Sequence, residues 1–430
     1  MSEVTTKAMK RILDHVWLVL LCCLLLWNTT GVASERPNIV MIVADDMGWT
    51  DFGFMGSKVV RTPNLDKLAA ESTLFPNGYV PTSLCRASLA TLLTGLYGHQ
   101  HQICCNDPPD GINRADMNPF MRRAPALPRL LSPAGYVSFQ TGKFWEGHYV
   151  NAGFTEGMTV KGRHGDDGLV IGRSTMKPIE DFLDHHKGEP FFLWYAPMMP
   201  HEPHDPPYRL MSKYQTTDRP VPLAAYYAMC EWFDETCGQL LQSLDQRGLR
   251  ENTLIVFVVD NGWIQLVEPP KPGQNHFDPK SKRSPYDGGV RTPILFRWPG
   301  KIPVAKRNDL ISTIDLAPTM LAAAGMTPPS SMQGINLLPA IESGKPIDRD
   351  AVVGEIFVHT CVELGHPGVN LTHRWIRAGD WKLIVPANSN DAPELFNLAD
   401  DPHENTNLAA KNPDQVAKLT ERLKEWWSGH

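Results

Sequence analysis

Two pairs of oxygen-bearing residues stand at the ends of apolar runs: Asp45-Asp46 after NIVMIVA, and Asp260-Asn261 after TLIVFVV. Runs this rich in β-branched residues read as buried parallel strands. Four hard oxygen donors delivered by two strand ends suit Ca²⁺, or else Mg²⁺, better than a softer metal. Either pair alone is as readily a turn or a helix cap; their coincidence carries the metal reading. Cationic and titratable groups follow the other runs. Lys143 comes after an extended stretch ending in Thr141-Gly142, and His201 and His204 follow the run that ends at Pro197. Lys282 and Arg283 precede Tyr286-Asp287-Gly288-Gly289-Val290-Arg291. A metal flanked by lysines and histidines suits a tetrahedral oxyanion: the cations stabilise its charge and a histidine protonates a leaving oxygen. Taken singly, each lysine reads as a solvated surface charge.

These groups need a scaffold that brings strand ends together. Helical patterns over 64–72, 126–134, 224–247 and 310–324, the last closed by Gly325, alternate with extended runs over 136–141, 189–197, 253–259 and 292–298. Such alternation predicts an α/β fold with a large, mostly parallel sheet flanked by helices. Ligand groups then lie just past the carboxyl ends of the strands. After about residue 345 the pattern changes. Short strands over 351–358, 375–377, 382–385 and 395–397 are joined by turns, which predicts a small antiparallel sheet, and 415–427 closes the chain as an amphipathic helix. The expected organisation is a leader over 1–33, an α/β catalytic domain over 36–345 and a C-terminal α+β subdomain over 346–430.

The leader follows from Lys7, Lys10 and Arg11, then the apolar run VWLVLLCCLLLW over 16–27, then small residues before an expected cleavage after Ala33. The run is too short to span a bilayer, so no stable membrane span is expected after cleavage and the protein is expected to be exported, periplasmic or secreted. A net charge of -6 argues against a general nucleic-acid binder. Cys230 and Cys237 fall on one helix at a separation too long for a disulfide.

Several segments in order resemble the type I sulfatases of the alkaline phosphatase superfamily: PNIVMIVADDMGWTDFG, TPNLDKLAAES, SLCRASLATLLTG, TGKFWEG, PHEP, VVDNG, PYDGGVRTP, STIDLAPTMLAAAG, WIRAGDWKLI and ELFNLADDPHENTNLA. The resemblance covers nearly all of the chain after the leader and implies an alkaline phosphatase-like fold. It implies that Asp45, Asp46, Asp260 and Asn261 bind one divalent cation, Ca²⁺ foremost and Mg²⁺ as the alternative, with residue 85 beside it. It implies that Cys85 is converted to formylglycine by a formylglycine-generating enzyme, that Lys143 and Lys282 hold the sulfate oxygens, and that His201 serves the leaving alcohol. The expected activity is hydrolysis of a sulfate ester releasing inorganic sulfate, on a sulfated carbohydrate foremost and a sulfated small molecule otherwise.

Two places depart from the family pattern. The motif Cys-x-Pro-x-Arg, or its Ala variant, reads here Cys85-Arg86-Ala87-Ser88-Leu89, with Leu89 in the place of the arginine. After Lys143 the family has Trp-His, whereas this chain has Phe144-Trp145; His148 is the candidate to replace the missing imidazole. Residues 99–123 are expected near the nucleophile, and Arg114, Arg122, Arg123 and Arg163 are open to two readings, contacts to a polyanionic sugar or solvated surface. The alternatives to a sulfatase are a phosphoesterase or phosphonate monoester hydrolase on the same scaffold, and a non-catalytic binder of sulfated glycans in which Cys85 stays a thiol.

Overall fold

The computed structural model describes residues 36–161, 163–268 and 274–429; the expected leader and its cleavage site lie outside them. Pro37–His430 forms one compact unit. Its strands, in chain order, are β1 (Asn38–Ala44), β2 (Thr73–Tyr79), β3 (Val137–Gly142), β4 (Glu156–Gly157), β5 (Phe191–Ala196), β6 (Thr253–Val259), β7 (Arg291–Arg297), β8 (Ala305–Lys306), β9 (Ile311–Ser312), β10 (Ala351–Phe357), β11 (Leu371–Ala378), β12 (Trp381–Pro386) and β13 (Glu394–Asn397).

The first nine make one sheet in the order β4-β3-β5-β1-β6-β7-β2-β8, with β9 beside β2. β3, β5, β1 and β6 run parallel, and every residue of β1, β5 and β6 is buried. That explains their unbroken apolar sequences: helices cover both faces, so neither face needs polar residues. One face carries Ile39, Met41, Val43, Trp194 and Val256 under the helices Cys85–Thr94 and Leu316–Ala323. The other carries Val40, Ile42, Leu193 and Phe257 under Val221–Gln246. β7 runs antiparallel to both β6 and β2, so the sheet is mixed at that side.

The apolar pattern expected as one helix over 310–324 divides into β9, a 3-10 turn at Thr313–Asp315 and the helix Leu316–Ala323. Asp315 directs this break. Its carboxylate accepts from the backbone N–H of Ser312 and of Ile335 and pairs with Arg349. The last four strands form a separate antiparallel sheet, β10-β11-β12-β13, against which the helix Pro413–Trp426 packs Leu419 and Leu423. Among the described residues no helix is long and apolar enough to cross a membrane.

Candidate active site

β1 and β6 pair in register from Asn38↔Thr253 to Ala44↔Val259, so their next residues, Asp45 and Asp260, emerge side by side. Asp46 turns the chain at once, with φ +64, and its N–H donates to Asp260 Oδ1 at 3.1 Å. Asn261 donates from Nδ2 to Asp46 Oδ1 at 2.6 Å. All four residues are buried, with 1 % or less of their surface exposed. Carboxylate oxygens of Asp45, Asp46 and Asp260 lie within 4.8 Å of one another.

Two lysines enter this acidic knot. Lys143, just past β3, donates from Nζ to Asp45 Oδ1 and stands 3.6 Å from Asp260 Oδ2. Lys282 donates to Asp46 Oδ2 at 2.6 Å. Burial disfavours both ammonium groups, but the facing carboxylates outweigh it and hold both lysines above their ordinary value. Burial pushes the Asp45 carboxyl up to about 6 and that of Asp260 to about 7, against the pull of Lys143. For Asp46 burial loses to Lys282 and His201, and its carboxyl is held well below the usual range.

Three carboxylates therefore face two ammonium groups, and the balance is incomplete. Oδ2 of Asp45 and Oδ2 of Asp260 are buried and accept no hydrogen bond. Orphaned buried carboxylate oxygens are costly, and a hard divalent cation is the partner that this donor set fits.

Cys85 opens the helix Cys85–Thr94, and its Sγ lies 3.4 Å from Asn261 Oδ1. Ser88, one turn on, donates to the carbonyl of Asp260 and ties the helix to the end of β6. Burial pushes the Cys85 thiol up to about 11 despite Lys143 and Lys282 nearby. His201 places Nε2 3.4 Å from Asp46 Oδ2, while Nδ1–H donates to the carbonyl of Glu202 at 2.6 Å. Burial, Lys143 and Lys282 lower His201 to about 3, so the free protein carries it neutral.

Thus Asp45, Asp46, Cys85, Lys143, His201, Asp260, Asn261 and Lys282 meet at one place, and His148 does not join them. It caps its own 3-10 turn, Nδ1 accepting from Val150 N–H at 3.3 Å, and packs against the Tyr149 ring. The imidazole beside the site is His164. Its ring meets Trp145 edge-on at 4.3 Å and stands 5.7 Å from His201, and its carbonyl accepts from Phe144 N–H, next to Lys143. His204 packs its ring against Tyr226 and Trp263 at the edge of the cluster, in the field of Asp46 and His201.

Arg86 does not replace the missing arginine either. It is buried and forks onto Glu146 at 2.8 and 2.7 Å, with further bonds to the carbonyls of Cys105 and Met117. Leu89 packs in the core. Arg283 is tied to the nucleophile's loop by its backbone, whose N–H donates to the carbonyl of Ser83, two residues before Cys85, at 2.9 Å, while its guanidinium lies over Phe277 and reaches Asn275 at 3.4 Å. Among the described residues all six cysteines are free, Cys230 and Cys237 included.

Residues 37–326 match the sulfatase family model, and residues 274–428 match the model of the N-sulphoglucosamine sulphohydrolase C-terminal region. The chain belongs to the sulfatase family. It is 31% identical over 362 residues to N-acetylgalactosamine-6-sulfatase of Homo sapiens, covering 74% of this chain and 68% of the relative. It is 27% identical over 464 residues to arylsulfatase A of Homo sapiens, covering 94% and 89%. Among solved structures, Ps i-CgsB superposes with a TM-score of 0.74 at 26% identity over 92% of this chain and 94% of that one. The same protein in complex with k-i-k-neocarrahexaose gives 0.73 at 25%. The mixed sheet with its small antiparallel partner is the sulfatase architecture, and the protein is a sulfatase.

Proposed function

We propose that this sulfatase releases inorganic sulfate from a sulfated carbohydrate, with residue 85 matured to formylglycine and one divalent cation, Ca²⁺ foremost, held by Asp45, Asp46, Asp260 and Asn261 beside residue 85. The observation that carries the reading is the convergence of Cys85 and two buried lysines on a carboxylate cluster in which two further oxygens, Asp45 Oδ2 and Asp260 Oδ2, have no donor. Burying ammonium and carboxylate groups costs several kcal/mol per ion even after relaxation, so an incomplete cluster of this kind stands to recruit a charged ligand. The carbohydrate class is supported by the sulfated-sugar relative and by the oligosaccharide complex of the structural neighbour. A formylglycine-generating enzyme and export through the segment 1–33 belong to the same reading.

Each residue has a derivable task. A sulfate ester is anionic and repels nucleophiles, so Lys143 and Lys282 neutralise and orient its oxygens in a site where low dielectric strengthens their hold. The cation, when bound, supplies Lewis acidity and offsets the three carboxylates. As formylglycine hydrate, residue 85 supplies one hydroxyl as the nucleophile and a second whose deprotonation expels sulfate. As a thiol it is protonated at neutral pH and a poor nucleophile, because burial holds it near 11. His201, its tautomer fixed by Glu202, presents Nε2 to the leaving alcohol. An arriving anion raises the imidazole's pKa and so favours the proton that it must donate. His164 is the imidazole proposed for the second proton transfer, in place of His148.

Protein made with a formylglycine-generating enzyme is to be assayed on paired aryl sulfate and aryl phosphate esters, with and without a chelator. Faster sulfate release, lost on chelation and restored by Ca²⁺, is the expected result. A preference for the phosphate ester would establish the phosphoesterase alternative instead. No turnover of either ester with residue 85 fully converted would sink the hydrolytic mechanism.

A further inference from the structure

Beside the cluster, three segments distant in sequence meet around a single carboxylate. Asp107 accepts from Arg114 and from both Nε and Nη2 of Arg163, at 3.0 and 3.1 Å, and lies 3.5 Å from His359 Nδ1. The backbone fixes this meeting. Asn106 and Asp107 donate their N–H groups to the carbonyl of His359, and Cys361 N–H donates to that of Asp107 at 2.9 Å. Both guanidinium groups then lie over the ring of Trp145, Arg163 at 4.8 Å and Arg114 at 5.4 Å from its centroid. Trp145 is buried and also carries His164, which continues to His201, so the group is contiguous with the active site.

The charges do not balance. One carboxylate serves two permanently charged guanidinium groups, and Arg163 keeps 41 % of its side chain open to solvent. Arg283, anchored beside the nucleophile's loop, is in the electrostatic field of Asp107, Arg163 and Cys85 together. Asp107 takes Nε and one Nη2 N–H of Arg163 and so fixes the guanidinium over the Trp145 ring, leaving Nη1 and the outer N–H groups to meet an oxyanion, while a second cation, Arg114, shares the same carboxylate. Arg122 and Arg123 stay outside this arrangement. The first reaches Asn151 at 3.5 Å, and the second stacks on Phe120.

We infer that Arg163, Arg114 and His359, organised by Asp107, form a subsite for a second anionic group of the substrate, a carboxylate or another sulfate on the sugar. The inference rests on the sulfated-carbohydrate reading. It makes the preferred substrate a polyanionic saccharide and not a neutral sugar carrying one sulfate.

Binding to the C85A protein tests it independently of turnover. Calorimetry would compare three disaccharides of one backbone: one with a single sulfate, one adding a uronic carboxylate, and one adding a second sulfate. At least one doubly charged ligand should bind about 10-fold tighter or better than the single sulfate, and R163Q in the same background should shrink that ratio to about 3-fold or less. Whichever second group gains more identifies the source of the anion. H359Q, checked for an unchanged unfolding temperature, should shrink the ratio in the same direction. Equal affinities for all three, or an R163Q change that lowers all three by one factor, would overturn the subsite. Aryl sulfate turnover by the unsubstituted enzyme reports separately on the underlying function.

Discussion

The protein buries two charge clusters built from the same residue types, and they behave oppositely. At the strand ends, Asp45, Asp46 and Asp260 face Lys143 and Lys282 with two carboxylate oxygens left without a donor. Between the two sheets, Lys382 Nζ sits 2.8 Å from Asp287 and 2.9 Å from Glu404. Glu404 also accepts from Asp287 N–H at 2.6 Å, Tyr79 donates its hydroxyl to Asp287 at 2.9 Å, and Arg377 donates to Tyr79. Here burial raises the Asp287 carboxyl, but Lys382 and Arg291 outweigh it and hold it below its ordinary value. In the second cluster every carboxylate oxygen has a chain donor or ammonium group within 2.9 Å, Glu404 Oε1 through the Lys382 ion pair alone. Although burial still pushes the Glu404 carboxyl up to about 7, the network welds β12 to the large sheet. The first is left incomplete. A buried ionic network marks a ligand site when its own residues fail to satisfy it, and a structural joint when they succeed.

That contrast can be broken by substitution. The largest effect belongs to Cys85→Ala: sulfate release should fall by roughly four orders of magnitude, the scale on which loss of a covalent nucleophile acts, with the unfolding temperature little changed. A drop in thermal stability to match would move Cys85 into the structural class. Next, Asp260→Asn should lose on the order of 100-fold or more in kcat and no longer be rescued by Ca²⁺ after chelation, since it removes a negative charge and one of the two carboxylate oxygens. Steady-state assays across a Ca²⁺ titration check it.

Stability should respond in the reverse sense. Lys382→Met strands two buried carboxylates and should cost about 3–5 kcal/mol in urea unfolding. Asp260→Asn measured in chelator should cost nothing or stabilise by about 1 kcal/mol, because it relieves repulsion among three carboxylates. If both variants destabilise alike, the two clusters are not different in kind.

A further effect, spread over a wide window, concerns pH. His101 is buried behind the nucleophile helix, with Nδ1 accepting from Ile103 N–H, and burial lowers it to about 3 from an ordinary 6.5. The unfolded chain takes up this proton and the folded one does not. The contribution is therefore fully present above pH 6.5 and is lost as pH falls toward 3, with a slope of up to about 1.4 kcal/mol per pH unit. His101→Gln should flatten that part of the stability–pH curve, as urea midpoints in a pH series would reveal.

The strand ends were legible because parallel strands buried on both faces write long apolar runs, and the residues that end them announce the site. Asp45, Asp46, Asp260 and Asn261 could be found that way. β2 could not: Pro76 and Gly78 interrupt it, and its pairing with β7 shifts register between Phe75 and Gly78. The antiparallel course of β7 was also invisible, since a doubly covered strand has the same composition in either direction. His148 looked eligible by nearness in sequence to Lys143, but its backbone closes a local turn. His164 arrives from a separate loop with no periodic pattern, and only the vacancy of an imidazole at Trp145 hinted that another segment must supply one. Asp107, likewise, gains its role from partners at Arg163 and His359 that sequence proximity does not reveal.

The account stands on residue 85 being a matured nucleophile within the incomplete cluster, although Arg86-Ala87-Ser88-Leu89 departs from the family motif. The direct measurement is the mass of the peptide containing residue 85, from protein made in the presence of a formylglycine-generating enzyme. An aldehyde or its hydrate at residue 85 is the predicted result. An unmodified thiol in a preparation that nevertheless releases sulfate from an aryl ester would contradict it.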